Sequence, residues 1–363
     1  MDAKIILSGH RQHDRLTGRC RLVFPVSPDF VLLHAKPQPL DSLEKIKAPI
    51  GEEIRQFEEK FRTAMKGSVP LLNTIMRYII KRKGKQMRPM FVFLSAGMCG
   101  GINESTYRAA SLIELLHTAT LVHDDVVDDS NLRRGFFSIN AIWKNKIAVL
   151  VGDYLLSRGL LIALDHNEFE LLRIVSNATR EMSEGELLQI EKARRLDIAE
   201  DVYFEIIRKK TATLIASCCA CGAASVNAGE ERVKAMWEFG LHAGIAFQIK
   251  DDLFDYEVHN KTGKPAGTDI RDQKMTLPLI YLLNHSGVME KRWIINTVKS
   301  HYDDAPRVAE LVAKVYERGG IGYAKEKMLE FRQKAMNSLE GFPGNRYAES
   351  LAELLIYTTE RTK

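Results

Sequence analysis

The chain has 363 residues, 45% hydrophobic and 27% charged, with a formal net charge of +5. Enough Leu, Ile, Val and Phe are present to bury a large core, which excludes disorder as the main state. Six basic and three acidic residues in positions 1–40 supply +3 of the charge, so the remainder lacks the basic bias of a general nucleic-acid binder.

Residues 1–41 read as a poorly ordered extension. They carry Pro25, Pro28, Pro37 and Pro39, lack an apolar signal-peptide core, and look strand-like only over Leu22–Leu33. Residues 42–363 read as one all-α domain of about ten helices or more. Ile54, Phe57 and Phe61, then Leu71, Leu72, Ile75, Tyr78 and Ile79, recur at the three- and four-residue spacing of amphipathic helices. Longer helix-compatible runs follow at Thr106–Asp129, Ile147–Leu164, Glu168–Ile190, Val202–Val226 and Val233–Tyr256, separated by Gly- or Asn-rich turn signals. The longest mostly apolar stretch, near Ala212–Ser225, is interrupted by Ser, Cys and Gly and is shorter than the roughly 18–20 residues of a membrane span, so no integral membrane segment is expected. Five cysteines, Cys20, Cys99, Cys218, Cys219 and Cys221, suggest no disulfide framework and fit a cytoplasmic location. Cys218 and Cys221 form a C-x-x-C inside an Ala-rich run, where small residues at a tight helix contact explain them better than redox chemistry.

The informative pattern is D-D-x-x-D, present at Asp124–Asp128 and again at Asp251–Asp255, each near the C-terminal end of a long apolar helix. Residues four apart share a helix face, so each motif crowds carboxylates at the negative end of a helix dipole. A positive partner must offset that, and carboxylate oxygens are hard ligands suited to Mg²⁺. Two acidic faces meeting across a cavity could hold several Mg²⁺ and a diphosphate. Basic residues surround both motifs: Lys85 and Arg88, Arg133 and Arg134, Lys210, Lys264 and Lys274. Arg offers bidentate contacts to phosphate oxygens and Lys a point charge. His117 lies two turns before Asp124, and Gln248 three residues before Asp251, where an amide oxygen could stabilise positive charge on carbon.

Together Gly84–Pro89, Leu112–Gly135, Leu150–Asp153, Lys210-Thr211, Gln248–Asp255 and Gly263–Lys274 resemble the trans-isoprenyl diphosphate synthases, most closely the long-chain bacterial octaprenyl and solanesyl type. The resemblance implies an all-α bundle around a deep cavity, a homodimer, and three Mg²⁺ per site. It implies repeated 1′-4 trans condensation of an allylic diphosphate with isopentenyl diphosphate, whose product partitions to the membrane. Asp124 and Asp128 would bind metal from one side and Asp251 from the other, with Asp255, Asp125 and Asp252 in auxiliary metal-binding positions. Arg133, Lys210, Lys274 and Lys264 would hold the allylic diphosphate. Lys85, Arg88, His117 and Arg134 would hold isopentenyl diphosphate, and Thr211 and Gln248 would join Lys210 at the reacting carbon. Gln86 stands where the family often has Arg, and Asp129 extends the first motif by one acid.

The residues four and five before Asp124 are Thr120 and Ala119, both small, with Leu116, Leu115 and Leu112 below them. That predicts an open tunnel for the growing chain and a product of about thirty to fifty carbons, a range taken from the resemblance. The alternative is a short-chain farnesyl or geranylgeranyl diphosphate synthase. A terpene cyclase, a metal-dependent phosphohydrolase and a non-catalytic partner subunit fit the double motif less well.

Overall fold

A computed structural model describes residues 39–361, apart from residues 83, 134, 196–198, 258–266 and 343. The strand-like stretch Leu22–Leu33, Cys20, Arg134 and Lys264 therefore lie outside the described residues. Pro39–Lys363 is one compact unit. It is all-α, with a single two-stranded hairpin among the described residues.

The chain opens with α1 (Pro39–Lys47), a 3₁₀ turn (Ala48–Ile50), α2 (Gly51–Ala64), α3 (Pro70–Lys81) and α4 (Met87–Cys99). Next comes α5 (Glu104–Val127), the short strands β1 (Leu132–Arg133) and β2 (Phe136–Phe137), α6 (Ile139–Trp143), α7 (Asn145–Asp165) and α8 (Phe169–Arg195). Then follow α9 (Glu200–Ile207), a π-helical turn (Arg208–Ala212), α10 (Thr213–Ala224) and α11 (Glu230–Phe254). The remainder is α12 (Thr268–Arg271), α13 (Leu277–Asn284), α14 (Val288–Ser300), α15 (Ala305–Glu317), α16 (Gly320–Asn337) and α17 (Arg346–Glu360).

Helix α5 starts at a capping box. Asn103 Oδ1 accepts from Thr106 N at 3.0 Å, and Asn103 N donates to Thr106 Oγ1 at 3.3 Å. These bonds satisfy backbone donors that a helix start leaves without partners. The helix runs to Val127, with Asp128 as its C-cap, so the first aspartate motif sits at its carbonyl end. The β1–β2 hairpin is absent from the sequence reading. Its two-residue strands are too short to show alternation, and Gly135 turns it at φ +78°.

Every residue of α10 is buried, and the segment is built mainly from small residues: TLIASCCACGAA. Cys99, Cys218, Cys219 and Cys221 are free and buried. Burial pushes the Cys99 thiol up to about 11 and that of Cys219 to about 12. These thiols are packing groups held in their neutral form. Close approach is what the small residues allow. A Cβ on Gly240 would fall 2.6 Å from Ala216 Cα, one on Gly244 2.4 Å from Ala212 Cα, and one on Gly222 2.4 Å from the Val92 carbonyl.

The predicted continuous helix over Val202–Val226 is instead broken by the π turn at Arg208–Ala212. One extra residue per turn re-aims the side chains there, and such bulges concentrate at functional sites. The stretch Ile139–Asp165 is a longer apolar run than the one around residue 212, with a mean hydropathy of 1.8 over its best window, only 33% of which is buried. Length and composition alone would let it cross a membrane. Lys144, at φ +72°, interrupts it between α6 and α7.

The α10–α11 contact gives a direct test. Gly240→Val should overpack against Ala216 and cost about 1–3 kcal/mol, read as a lower midpoint of urea unfolding. An unchanged midpoint would refute the close backbone approach.

Candidate active site

The first aspartate motif divides by helix face. Asp125 turns inward and is buried; its Oδ1 accepts from Arg133 Nε on β1 at 2.6 Å. Asn140 Nδ2 donates to the Asp125 carbonyl at 3.1 Å and ties α6 to the same corner. Burial raises the Asp125 carboxyl, and Arg133 opposes that rise. Asp124 and Asp128 turn the other way and are exposed. Neither makes a side-chain hydrogen bond or ion pair among the described residues. Crowding by protein atoms raises the Asp124 carboxyl, and Glu186 raises it further, while Lys210 and Arg133 act against this. Asp128 adds a smaller repulsion.

His123, just before the motif, lies against α7. Its Nε2 is 3.2 Å from the Val149 carbonyl and 3.5 Å from Asp153 Oδ1. Gly152 makes room for the ring, since a Cβ there would fall 2.1 Å from Nε2.

Lys210 and Thr211 sit on the π turn and connect the two motifs. Lys210 Nζ is 2.5 Å from Glu186 Oε2 and donates to Gln189 Oε1 at 3.2 Å. Thr211 Oγ1 donates to Gln248 Oε1 at 2.8 Å, and Gln248 Nε2 donates to Asp252 Oδ1 at 2.9 Å. The Gln248 oxygen is thus occupied by Thr211 in this state. Tyr203 Oη donates to Asp252 Oδ2 at 2.7 Å. Burial pushes the Asp252 carboxyl up to about 7 against these two hydrogen bonds.

The other members of the second motif have different partners. Asp251 pairs with Arg361, whose guanidinium also lies over the Phe247 and Phe254 rings at 4.6 and 5.4 Å. Asp255 is buried, and its carboxylate accepts the backbone N–H groups of Thr268 at 2.9 Å and Asp269 at 3.0 Å, capping α12. Lys274 reaches Asp272 at 3.0 Å and Asp269 at 3.4 Å. Near α4, Lys85 Nζ donates to Tyr357 Oη at 2.8 Å, so α17 reaches Lys85 through Tyr357 and Asp251 through Arg361. Arg88 lies in the first turn of α4, and His117 is buried on α5.

Among the described residues, no three His, Cys, Asp or Glu side chains are gathered around one point as a metal cage. The donor set nevertheless suits a hard cation. Asp124 and Asp128 offer exposed, mutually repelling carboxylates one turn apart, and Mg²⁺ binds few carboxylates while keeping water and phosphate oxygens.

A cavity of about 350 Å³ opens between α5, α7 and α8, lined by Leu112, Leu116, Leu156, Gly159, Val175 and Thr179 among others. Thr120, one turn above Leu116, shares that face of α5. Ala119 does not. It is 2% exposed and packs with Met65, Ile75, Leu115, Val151 and Leu155 on the α3–α7 side.

Sequence reasoning missed Glu186, Gln189, Tyr357 and Arg361. Each lies far along the chain from the aspartate motifs, Glu186 and Gln189 on α8, Tyr357 on α17 and Arg361 just after it. Asp269 falls within the quoted Gly263–Lys274 segment but was given no role.

The family model described as polyprenyl synthetase matches residues 69–315. The all-trans-nonaprenyl-diphosphate synthase (geranyl-diphosphate specific) of Rhodobacter capsulatus is 34% identical over 324 residues, 89% of this chain and 99% of that protein. Among solved structures, a decaprenyl diphosphate synthase from Rhodobacter capsulatus superposes with a TM-score of 0.83 at 30% identity, covering 88% of this chain and 99% of that one. A geranylgeranyl pyrophosphate synthase from Bacteroides thetaiotaomicron gives 0.75 at 37% identity, covering 88% and 100%. On the extent of these matches, the chain belongs to the polyprenyl synthetase family.

Proposed function

We propose that the unit Pro39–Lys363 condenses an allylic diphosphate with isopentenyl diphosphate in repeated cycles to a long-chain polyprenyl diphosphate. The observation that carries this reading is the hydrogen-bonded run Thr211–Gln248–Asp252 beside Lys210, which links the π turn to the second motif while Lys210 faces the first.

Asp124 and Asp128 would hold Mg²⁺ from the α5 side and Asp251 from the α11 side; bound there, the ion would supply positive charge to the departing diphosphate. Arg361 stands on Asp251 and must shift as a divalent ion and diphosphate arrive. Asp125, Asp252 and Asp255 support the site from behind: Asp125 orients Arg133, Asp252 orients Gln248, and Asp255 holds the start of α12. Arg133, Lys210 and Lys274, with Lys264, bind the allylic diphosphate. Lys85, Arg88 and His117, with Arg134, bind isopentenyl diphosphate, and Tyr357 steadies Lys85. Thr211 and Gln248 present oxygens to the carbon that becomes cationic, and the closed bundle keeps water from it.

The growing tail descends from Asp124 past Thr120 into the cavity walled by Leu116 and Leu112. Long-chain synthesis follows from the small Thr120 at its entrance. A second copy of the chain covers the exposed apolar stripe of α7, formed by Val149, Leu150, Leu160, Leu161 and Leu164.

Product analysis with labelled isopentenyl diphosphate and several allylic primers tests the activity. Chains longer than geranylgeranyl are expected, and a product that stops at fifteen or twenty carbons would favour the short-chain alternative. Chelation of divalent ions should abolish turnover. Asp124→Asn should lower kcat by roughly 100-fold or more with the circular dichroism spectrum retained. Thr120→Tyr should shorten the product at near-normal stability, whereas Ala119→Tyr should chiefly destabilise the fold by overpacking. An unchanged product length in Thr120→Tyr would remove the tunnel assignment.

A further inference from the structure

Helix α8 runs beside the π turn and meets each of its three cations with a carboxylate. Glu181 takes Arg208 at 2.9 Å, Glu184 takes Lys209 at 3.1 Å, and Glu186 takes Lys210 at 2.5 Å. Gly185 lets the helix come this close, since a Cβ there would fall 2.8 Å from Lys209 Cβ and 2.9 Å from Lys210 N.

The three pairs are not equivalent. Glu181 also accepts from Thr213 Oγ1 at 2.9 Å and so braces the turn itself. Lys209 has a further partner in Glu205 at 3.4 Å, an exposed pairing of little energetic weight. Lys210 alone has a second acceptor from α8, Gln189, three residues after Glu186 and on the same face. An ammonium carries three N–H donors on a long flexible stem. Two of them are tied to α8, which leaves one for a ligand. Glu186 and Lys210 both act electrostatically on Asp124, which brings this pair to bear on the first aspartate motif.

We propose that Glu186, together with Gln189, is a positioning residue for the condensation, holding the Lys210 ammonium so that its remaining N–H meets the allylic diphosphate. This rests on the reading of Lys210 as a ligand of that diphosphate. Without the two acceptors Lys210 keeps its charge but loses its direction, and the cost falls on binding of one substrate and not the other.

A double-mutant cycle on the full chain tests this with initial rates over both substrates and over Mg²⁺. Glu186→Ala should raise KM for the allylic diphosphate about tenfold while KM for isopentenyl diphosphate stays within about twofold. Glu186→Gln keeps an acceptor oxygen and should recover most of that loss. In a Lys210→Ala background, Glu186→Ala should add nothing. Glu184→Ala, which leaves Lys209 its second partner Glu205, should leave the rates unchanged. Gln189→Leu gives a milder second variant should Glu186→Ala fold poorly, and it too should raise only the allylic KM. If Lys210→Ala raises the allylic KM but Glu186→Ala acts additively with it, or instead raises the Mg²⁺ requirement, the positioning role is overturned while the reading of Lys210 stands. If Lys210→Ala leaves the allylic KM unchanged, that reading falls and the positioning role falls with it.

Discussion

Mutual repulsion among carboxylates at the ends of α5 and α11 is the constraint that orders the site. Each motif stacks like charges one turn apart, and each does so at the negative end of a helix dipole. The fold answers residue by residue. Arg133 reaches from β1 to Asp125, Arg361 comes from beyond α17 to Asp251, and Gln248 and Tyr203 share Asp252. Asp255 is answered by backbone N–H groups at a helix start, where the dipole has the favourable sign. The two carboxylates that keep no hydrogen-bonded partner among the described residues, Asp124 and Asp128, are the pair whose i,i+4 geometry suits a hard cation.

Backbone proximity makes this compensation possible. α8 touches the π turn at Gly185, beside Lys209 and Lys210, and α11 touches it at Gly244, beside Ala212. A regular α-helix through Arg208–Ala212 would rotate Lys210 and Thr211 relative to one another and to Gln248. Glycines that carry no chemistry thus set where the π turn meets α8 and α11. The buried small residues of α10 belong to the same arrangement, and burial raises the thiols of Cys218 and Cys221, the C-x-x-C pair.

Much of this was legible in the sequence because its signals are local. The i,i+4 spacing of acids, the apolar periodicity and the Lys-Thr pair identify themselves within a few residues, and so did the long helices near their observed bounds. The π turn was not legible, since no Gly or Pro punctuates Val202–Cys221 to mark a break there. Glu186 and Arg361 were not legible for a related reason. An acid on α8 and a base after α17 become site residues only through contacts of 24 and 110 positions in sequence separation. Asp251 and Asp255 are the first and last acids of one motif, yet one faces a guanidinium and the other caps a helix.

The wall of the tunnel shows the same limit at finer scale. Counting back from Asp124 treats Ala119 and Thr120 as neighbours with one function. Consecutive helical residues point roughly 100° apart, so they cannot share a wall. Leu112, Leu116, Thr120 and Asp124 follow one another at four-residue steps and form a single ridge from cavity to carboxylate. Ala119 belongs with Leu115 and Val122, whose side chains fill the cluster against α3 and α7. A bulky residue at 120 would therefore intrude on the path of the tail, whereas the same residue at 119 would strain the helix packing. The face, and not the distance from the motif in sequence, decides which small residue leaves room for a long product.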